Sequence, residues 1–148
     1  MIRIDVAVEH EPFPVDAHRL ADAVRRILHD HGKRRGSVSL AVVDDAAIHD
    51  VNRRFLSHDE PTDVISFVLE DEGTRLEGEI VLGADTALRT AGELNVAPED
   101  ELLLYAIHGA LHLAGYDDLS PEPRRAMRAK ERDYLRSYDV ELPAASDD

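Results

Sequence analysis

The chain has 148 residues, of which 43% are hydrophobic, and its formal net charge is −14 at pH 7. A chain of this size can bury a core as a single domain without disulfides or a structural metal. It contains no cysteine, which excludes disulfides, thiolate metal sites and cysteine nucleophiles. The acidic residues outnumber lysine and arginine by 31 to 17, which argues against DNA as a partner.

The sequence shows neither a membrane span nor a leader peptide. No stretch approaches the roughly 20 apolar residues that a spanning helix needs. The N-terminal segment carries acids at Asp5, Glu9 and Glu11. We therefore expect a cytoplasmic protein with no membrane partner.

The first half of the chain alternates predicted strands and helices. Residues 2–8 alternate apolar and polar side chains with the period of a strand. Asp16 is a typical N-cap for a helix that we expect to end at His29. Residues 37–43 are β-branched and apolar, which predicts a second strand, and Asp44 then caps a second helix.

A hairpin is predicted next. Residues 63–69 and 78–83 have strand composition, and the acidic segment 70–73 between them ends in glycine. We expect these two strands to pair antiparallel, with residues 70–73 as the turn.

Three helices complete the predicted chain. The first spans 84–94, the second begins at Pro98, and the third begins at Pro121 and runs to about residue 137. Residues 143–148 are expected to form a disordered tail. The pattern predicts an α+β fold with one domain, 1–142, in which about five helices cover a mixed four-stranded sheet. The helix that begins at Pro98 is the most continuously apolar, so it should be central.

That central helix carries the residues with the clearest chemical pattern. His108 and His112 are four residues apart, so their imidazoles lie on one helix face and can turn toward one ion. Gly115 then allows the chain to reverse, so that Asp117 or Asp118 can return as a third ligand. Three ligands leave a position for water or substrate, as catalytic zinc sites require. A histidine on a buried helix is often only a hydrogen-bonded core residue, but two at this spacing before glycine and acid favour a metal site.

The ligand types indicate hydrolysis. Two imidazoles and a carboxylate hold a metal that acidifies water and polarises a carbonyl or phosphoryl oxygen. A peptidase is disfavoured, because Gly109 stands where the H-E-x-x-H motif has its general base. Non-haem iron oxygenases use the same ligand types, but nothing else in the sequence indicates a co-substrate pocket.

The other polar residues have ordinary explanations. We interpret the basic segments 33–35, 53–54 and 124–136 as solvated faces with mixed ion pairs, including those around Arg128, Glu131, Arg132 and Asp133. Thr62 and Asp63 suit backbone capping at the start of a strand, and Ser66 suits an outward position. The remaining histidines are assigned to a helix C-terminus (His29, His31) or to the surface (His10, His18, His49).

The string HGALHLAGYDD, residues 108–118, resembles the H-G-x-L-H-L-x-G-Y-D-H signature of the YbeY family, and ten of the eleven positions agree. The segments PTDVISF (61–67) and GEIVLG (78–83), with Asn52 and Phe55, are similar to further motifs of that family. The resemblance implies a YbeY-like fold with a four-stranded mixed sheet and about five helices. It also implies a metal-dependent single-strand endoribonuclease that acts on ribosomal RNA in maturation and ribosome quality control.

The resemblance assigns one zinc ion, or another divalent metal, to His108, His112 and Asp118. The chain departs from the family pattern in having Asp118 where the third histidine stands, a harder ligand that favours manganese more than imidazole does. Leu56 stands where the family has an arginine. Arg53, on the same predicted helix face as Leu56, is the candidate catalytic substitute, and His58 in the following loop is a second.

These departures support a second hypothesis from another class. A catalytically weakened metal-binding factor would act in ribosome biogenesis through ribosomal proteins or a ribosome-associated GTPase. The missing arginine and the net charge of −14 support this alternative, while the endoribonuclease is the leading hypothesis.

Overall fold

The structure of the chain is a computed structural model that describes residues 1–56 and 63–143. Two strands alternate with two helices, a hairpin of two strands follows, and three helices complete the described residues. None of the helices in these ranges is both long and apolar enough to span a bilayer. In chain order the elements are β1 (Arg3–Val8), α1 (Ala17–Asp30), β2 (Arg35–Val43), α2 (Asp45–Leu56), β3 (Val64–Glu72), β4 (Arg75–Gly83), α3 (Ala84–Leu94), α4 (Pro98–Leu113) and α5 (Pro121–Arg136).

The four strands form one mixed sheet in the order β1-β2-β4-β3. β2 pairs parallel with both β1 and β4, whereas β3 pairs antiparallel with β4. The predicted fold class, with its mixed four-stranded sheet, five helices and antiparallel hairpin, is confirmed.

The predicted turn of the hairpin is wrong. Residues 70–72 belong to β3, and β4 begins at Arg75, so the chain reverses at Gly73 and Thr74. Gly73 has a φ of +66°, a conformation that glycine adopts without steric cost. The acids of β3 are tolerated in a strand because β3 lies at the edge of the sheet, where their side chains remain in water.

Alternation along the strands divides the core into two layers. Leu40 and Val42 of β2 face the main core, whereas Ala41 and Val43 face a smaller cluster that α2 covers with Ile48. α1, α3, α4 and α5 cover the main side. α4 packs on the other three helices and on β3 and β4, which confirms that it is central.

Gly109 sets how closely α4 lies against the sheet. A Cβ at this position would stand 2.8 Å from Cγ2 of Ile80 and 3.2 Å from Cγ2 of Val64. The glycine therefore faces the sheet and has a packing role. The close contact fixes the rotation of α4 about its axis, and His108, the preceding residue, lines a cavity beside the helix.

We predict that Gly109→Ala lowers the free energy of unfolding by about 1 kcal/mol, because overpacking against buried Ile80 outweighs the gain in helix propensity. Gly92→Ala in α3 is the matched control, since nothing lies within 4 Å of its added Cβ. It should raise the free energy of unfolding by up to about 1 kcal/mol. Urea denaturation measures both, and equal gains at the two sites would contradict the packing role of Gly109.

Candidate metal centre

One face of α4 carries polar side chains, although the helix is otherwise buried. Glu101, Tyr105, His108 and His112 follow one another at steps of four, three and four residues, so they form a single stripe. The stripe ends where the helix ends. Gly115 has a φ of +107°, and the N–H of Tyr116 donates to the carbonyl of Leu111 at 3.0 Å, as predicted for a glycine-terminated helix.

The reversal at Gly115 brings Asp118 back to the two histidines. The Nε2 atoms of His108 and His112 are 3.0 Å apart. Asp118 places Oδ2 3.7 Å from Nε2 of His108 and Oδ1 3.8 Å from Nε2 of His112. Ligand atoms around a tetrahedral zinc ion lie about 3.3 Å from one another. The three side chains can therefore hold a metal ion without rearrangement of the backbone, and all three are partly accessible.

Asp117, the other carboxylate that the sequence offered, has a different contact. Its Oδ1 accepts a hydrogen bond from the N–H of Leu119 at 3.1 Å, which stabilises the turn before α5. It does not belong to the cluster formed by His108, His112 and Asp118.

Glu131 of α5 orients His108 from the side opposite the cluster. Nδ1 of His108 donates to Oε2 of Glu131 at 2.6 Å, and Glu131 is only 3% exposed. With the proton on Nδ1, the lone pair on Nε2 points toward His112 and Asp118. A carboxylate behind a histidine is a common device for fixing the tautomer and ring orientation of a metal ligand.

Arg128 compensates the charge of Glu131. Its Nη1 donates to both carboxylate oxygens, at 2.8 and 2.9 Å. The interpretation of this segment as a solvated face is therefore wrong for Glu131 and for Arg128, which is partly buried, although Arg132 and Asp133 are exposed as expected. The sequence held a signal for this. Glu131 lies midway between buried Met127 and Leu135 at steps of four residues, which places its carboxylate on the apolar face of α5.

The environment of His112 favours a neutral imidazole. Burial lowers the pKa of His112, and the neighbouring His108 lowers it further. Asp118 and a hydrogen bond with the backbone of Tyr116 oppose this shift without reversing it. A neutral imidazole is the form that ligates a metal, so the site is prepared for an ion at neutral pH.

A cavity of about 620 Å³ opens beside the cluster. His108 and Asp118 line it together with Glu131, Glu101 and Asp63. Burial raises the pKa of Glu101, and the charges of Asp63 and Glu131 raise it further, against a hydrogen bond from Tyr105. Among the described residues that line the cavity, Arg128 is the only lysine or arginine, so the space is strongly acidic when no cation is bound.

The sequence interpretation missed Glu101 and Asp63. The carboxylate of Asp63 does bond the N–H of Val64, at 2.8 Å, as capping predicts, but the residue also lines the cavity. The position of Glu101, seven residues before His108, was the available signal, because it continues the histidine stripe by two helical turns.

Arg53, the candidate catalytic residue, lies on α2, which covers the other face of the sheet. Its Nη2 contacts Asp50 at 2.9 Å, and the side chain is 59% exposed. Arg53 is not among the described residues that line the cavity. His58 and Thr62 lie outside the described residues.

The other histidines have contacts of their own. Nε2 of His10 lies 2.7 Å from Oδ1 of Asp85, so this residue is less exposed than a surface assignment predicts. His31 bonds the carbonyl of Ile27 through Nδ1 and the hydroxyl of Tyr116 through Nε2, at 2.7 and 3.1 Å.

We predict that Asp118→Ala loses most of the bound metal and that Asp118→His keeps it, because only the second substitution restores a third ligand. Asp117→Ala is the matched control and should bind metal as the unmodified chain does. Metal content after gel filtration, measured by mass spectrometry, tests this. Full metal content in Asp118→Ala would show that another group is the third ligand.

A second prediction concerns Glu131. Replacement by glutamine removes the negative charge behind His108 and should weaken metal binding about 10- to 100-fold. Competition against a chromogenic chelator measures the dissociation constant. Asp133→Asn, an exposed change of the same charge on the same helix, should have no effect. Equal affinity in the two variants would exclude a role for Glu131 in holding the ligand.

Comparison with known proteins finds a matching family and several similar chains. The family described as Endoribonuclease YbeY matches residues 5–139. A relative of that name from Rhodopirellula baltica is 50% identical over 119 residues, 79% of this chain, and the match spans 61% of its own length. A second, from Chlorobaculum parvum, is 40% identical over 82% of this chain and 85% of its own.

A solved structure agrees as well. The solution structure of TM1509 from Thermotoga maritima superposes with a TM-score of 0.62 at 30% identity, and the match covers 98% of this chain and 99% of that one. Together with the match of the family over residues 5–139, these similarities show that the chain belongs to the endoribonuclease YbeY family.

Proposed function

We propose that this chain is a metal-dependent endoribonuclease that cuts single-stranded segments of ribosomal RNA during rRNA maturation and ribosome quality control. The observation that carries the proposal is the convergence of His108, His112 and Asp118, with donor atoms 3.0 to 3.8 Å apart, at the wall of an open cavity. The relatives named as endoribonucleases support RNA as the substrate.

The proposed cofactor is one divalent ion, zinc in the first place, held by these three side chains. When bound, such an ion acidifies water and stabilises negative charge on a phosphoryl oxygen. The carboxylate of Asp118 is a harder donor than the imidazole it replaces in the family signature, so manganese is the expected competitor.

The residues around the cluster have defined parts in this proposal. Glu131 keeps the proton of His108 on Nδ1 and prevents the ring from turning. Arg128 offers the positive charge nearest to a phosphate inside the cavity, while its Nη1 stays bound to Glu131. Leu56 stands where the family has an arginine, and a catalytic role of Arg53 in its place stays a prediction.

The acidic cavity gives support to the second candidate function. Four carboxylates line it, those of Asp63, Glu101, Asp118 and Glu131, and they repel an RNA chain when no metal is present. A factor that binds metal and acts through ribosomal proteins or a ribosome-associated GTPase would need no RNA in this cavity. In either case the proposed place of action is the cytoplasm, where bacterial ribosomes assemble.

The test is cleavage of a structured ribosomal RNA fragment by the purified, metal-loaded chain. We expect cleavage in single-stranded segments, its loss with chelator, and a fall of roughly 1,000-fold in His108→Ala, because metal catalysis contributes several kcal/mol. His18→Ala, at an exposed position on α1, is the histidine control and should cut normally.

The outcomes separate the two functions. Cleavage that persists in His108→Ala would contradict the nuclease proposal and point to a contaminating enzyme. An intact RNA together with stoichiometric metal and co-purification of ribosomal proteins would favour the biogenesis factor.

A further inference from the structure

A second concave surface lies outside the metal cavity and has the opposite charge. It encloses about 550 Å³ between the start of β1, the second half of α1 and the segment that leads to β2. Four basic side chains and one acidic side chain line it, with one histidine between them. In a chain with a net charge of −14, such a concentration of positive charge is a local exception. We call this surface the α1 pocket; its polar lining residues are Asp22, Arg25, Arg26, His29, Lys33 and Arg34.

Two of the basic residues of the α1 pocket, Lys33 and Arg26, are held in place by contacts with neighbouring groups. The ammonium of Lys33 donates to Oδ1 of Asp71 at 2.7 Å and to the carbonyl of Gly73 at 2.9 Å, and its side chain is only 12% exposed. Arg26 donates to the hydroxyl of Ser137 at 3.0 Å, lies 3.6 Å from Asp22, and stacks over a tyrosine ring of the C-terminal segment. The contacts of Lys33 differ from the solvated face that the sequence suggested.

The other two basic residues, Arg25 and Arg34, have N–H donors that are not used in strong contacts within the described part of the chain. Arg25 is partly buried and, among the described residues, donates only to the carbonyl of Ile2, at a long 3.4 Å. The exposed guanidinium of Arg34 has no ion-pair partner within the described part of the chain. A guanidinium presents a planar set of N–H donors that matches two oxygens of a phosphate. The α1 pocket therefore suits a phosphate group held between Arg25 and Arg34.

The α1 pocket and the metal centre lie toward the same end of the helix layer. α1 and α4 run parallel: Arg19 near the start of α1 donates to the carbonyl of Glu99 at 2.9 Å, and His31 just after α1 bonds Tyr116 just after α4. Tyr116 precedes Asp118 by two residues. The end of α1 that carries the pocket is thus joined directly to the turn that supplies the third ligand.

We infer that the α1 pocket binds the phosphodiester backbone of a single-stranded RNA whose cleaved segment lies at the metal centre. The choice of RNA rests on the proposed function. The electrostatics supply the reason for a separate anchor. Among the described residues that line the metal cavity, four carry a carboxylate and only Arg128 is a lysine or arginine, so most of the attraction for a polyanion has to come from elsewhere on the surface. The basic side chains at the end of α1 supply this attraction. They do so without placing lysine or arginine beside Asp118, where a positive side chain would compete with the metal for the carboxylate.

The experiment is RNA binding by fluorescence anisotropy, with a labelled single strand of about 20 nucleotides. EDTA keeps the RNA intact during the measurement. The variants are Arg34→Glu and the double variant Arg25→Gln/Arg34→Glu. Lys130→Glu, which makes the same charge change as Arg34→Glu at an exposed position of α5, is the matched control. Circular dichroism and thermal melting verify that each variant is folded.

Loss of about two phosphate contacts should weaken binding by the double variant about 20-fold at 0.1 M salt and flatten the slope of log affinity against log salt by about 1.4. Lys130→Glu should retain nearly the affinity and slope of the unmodified chain. If the double variant and Lys130→Glu bind RNA equally well, or if the unmodified chain does not bind the RNA, the inference is wrong.

A calorimetric titration with inorganic phosphate distinguishes RNA from a small phosphorylated ligand. Phosphate binding that the double variant loses, with RNA binding unchanged, would overturn the assignment to RNA. The result is also separate from that of the cleavage assay. A chain that binds RNA through the α1 pocket but does not cut it supports the pocket as an RNA-binding surface and contradicts the nuclease and the cleaved segment at the metal centre.

Discussion

The contact of α4 with the sheet at Gly109 is the constraint on which the rest of the molecule depends. Ile80 and Val64 occupy the space that a side chain at this position would need. The rotation of α4 about its axis is therefore fixed, and so is the direction in which each of its other faces points. Leu111 and Ile107 fill the core, whereas Glu101, Tyr105 and His108 line the cavity. His112, the last residue of the stripe, lies in the cluster with His108 and Asp118. The apolar contact between α4 and the sheet therefore determines where the polar side chains of the helix lie.

A polar stripe on a buried helix requires partners, because an unpaired charge in a core is strongly destabilising. α5 supplies the partner for His108 by turning Glu131 inward, and Arg128 then balances the carboxylate. Arg128, Glu131 and His108 are thus joined by consecutive hydrogen bonds that lead to the cluster. The same contacts that hold α5 against α4 therefore also fix the orientation of His108, one of the three side chains that can hold a metal ion.

The sequence was sufficient for those parts of the site that are local. The spacing of His108 and His112 and the glycine after the helix predict that Asp117 or Asp118 returns to the histidines, and the resemblance to the family signature selects Asp118. Glu131 lies on another helix, and only the packing of α5 on α4 makes it a neighbour of His108. The role of Gly109 likewise depends on the register between a helix and strands that are distant in the sequence.

The hairpin shows another kind of limit. Glu70 to Glu72 have the composition of a turn, yet they continue β3, because an edge strand leaves one row of side chains and one row of backbone groups in water. Composition reports solvent exposure, and it does not separate an exposed strand from an exposed turn. Arg53 shows the opposite situation, since its helix was predicted correctly but only the sheet between α2 and α4 determines which cavity it can reach.

The acidic end of β3 has a consequence for the colloidal behaviour of the protein. Val68 and Leu69 are 51% and 64% exposed at the sheet edge, and the pairing register shifts between Val68 and Glu70. An exposed apolar edge strand is a template on which a second copy can add its own strand. Here three consecutive carboxyl residues follow at once, and two copies in register would bring like charges together. The charges that misled the prediction of the turn thus act as gatekeepers against edge-to-edge aggregation.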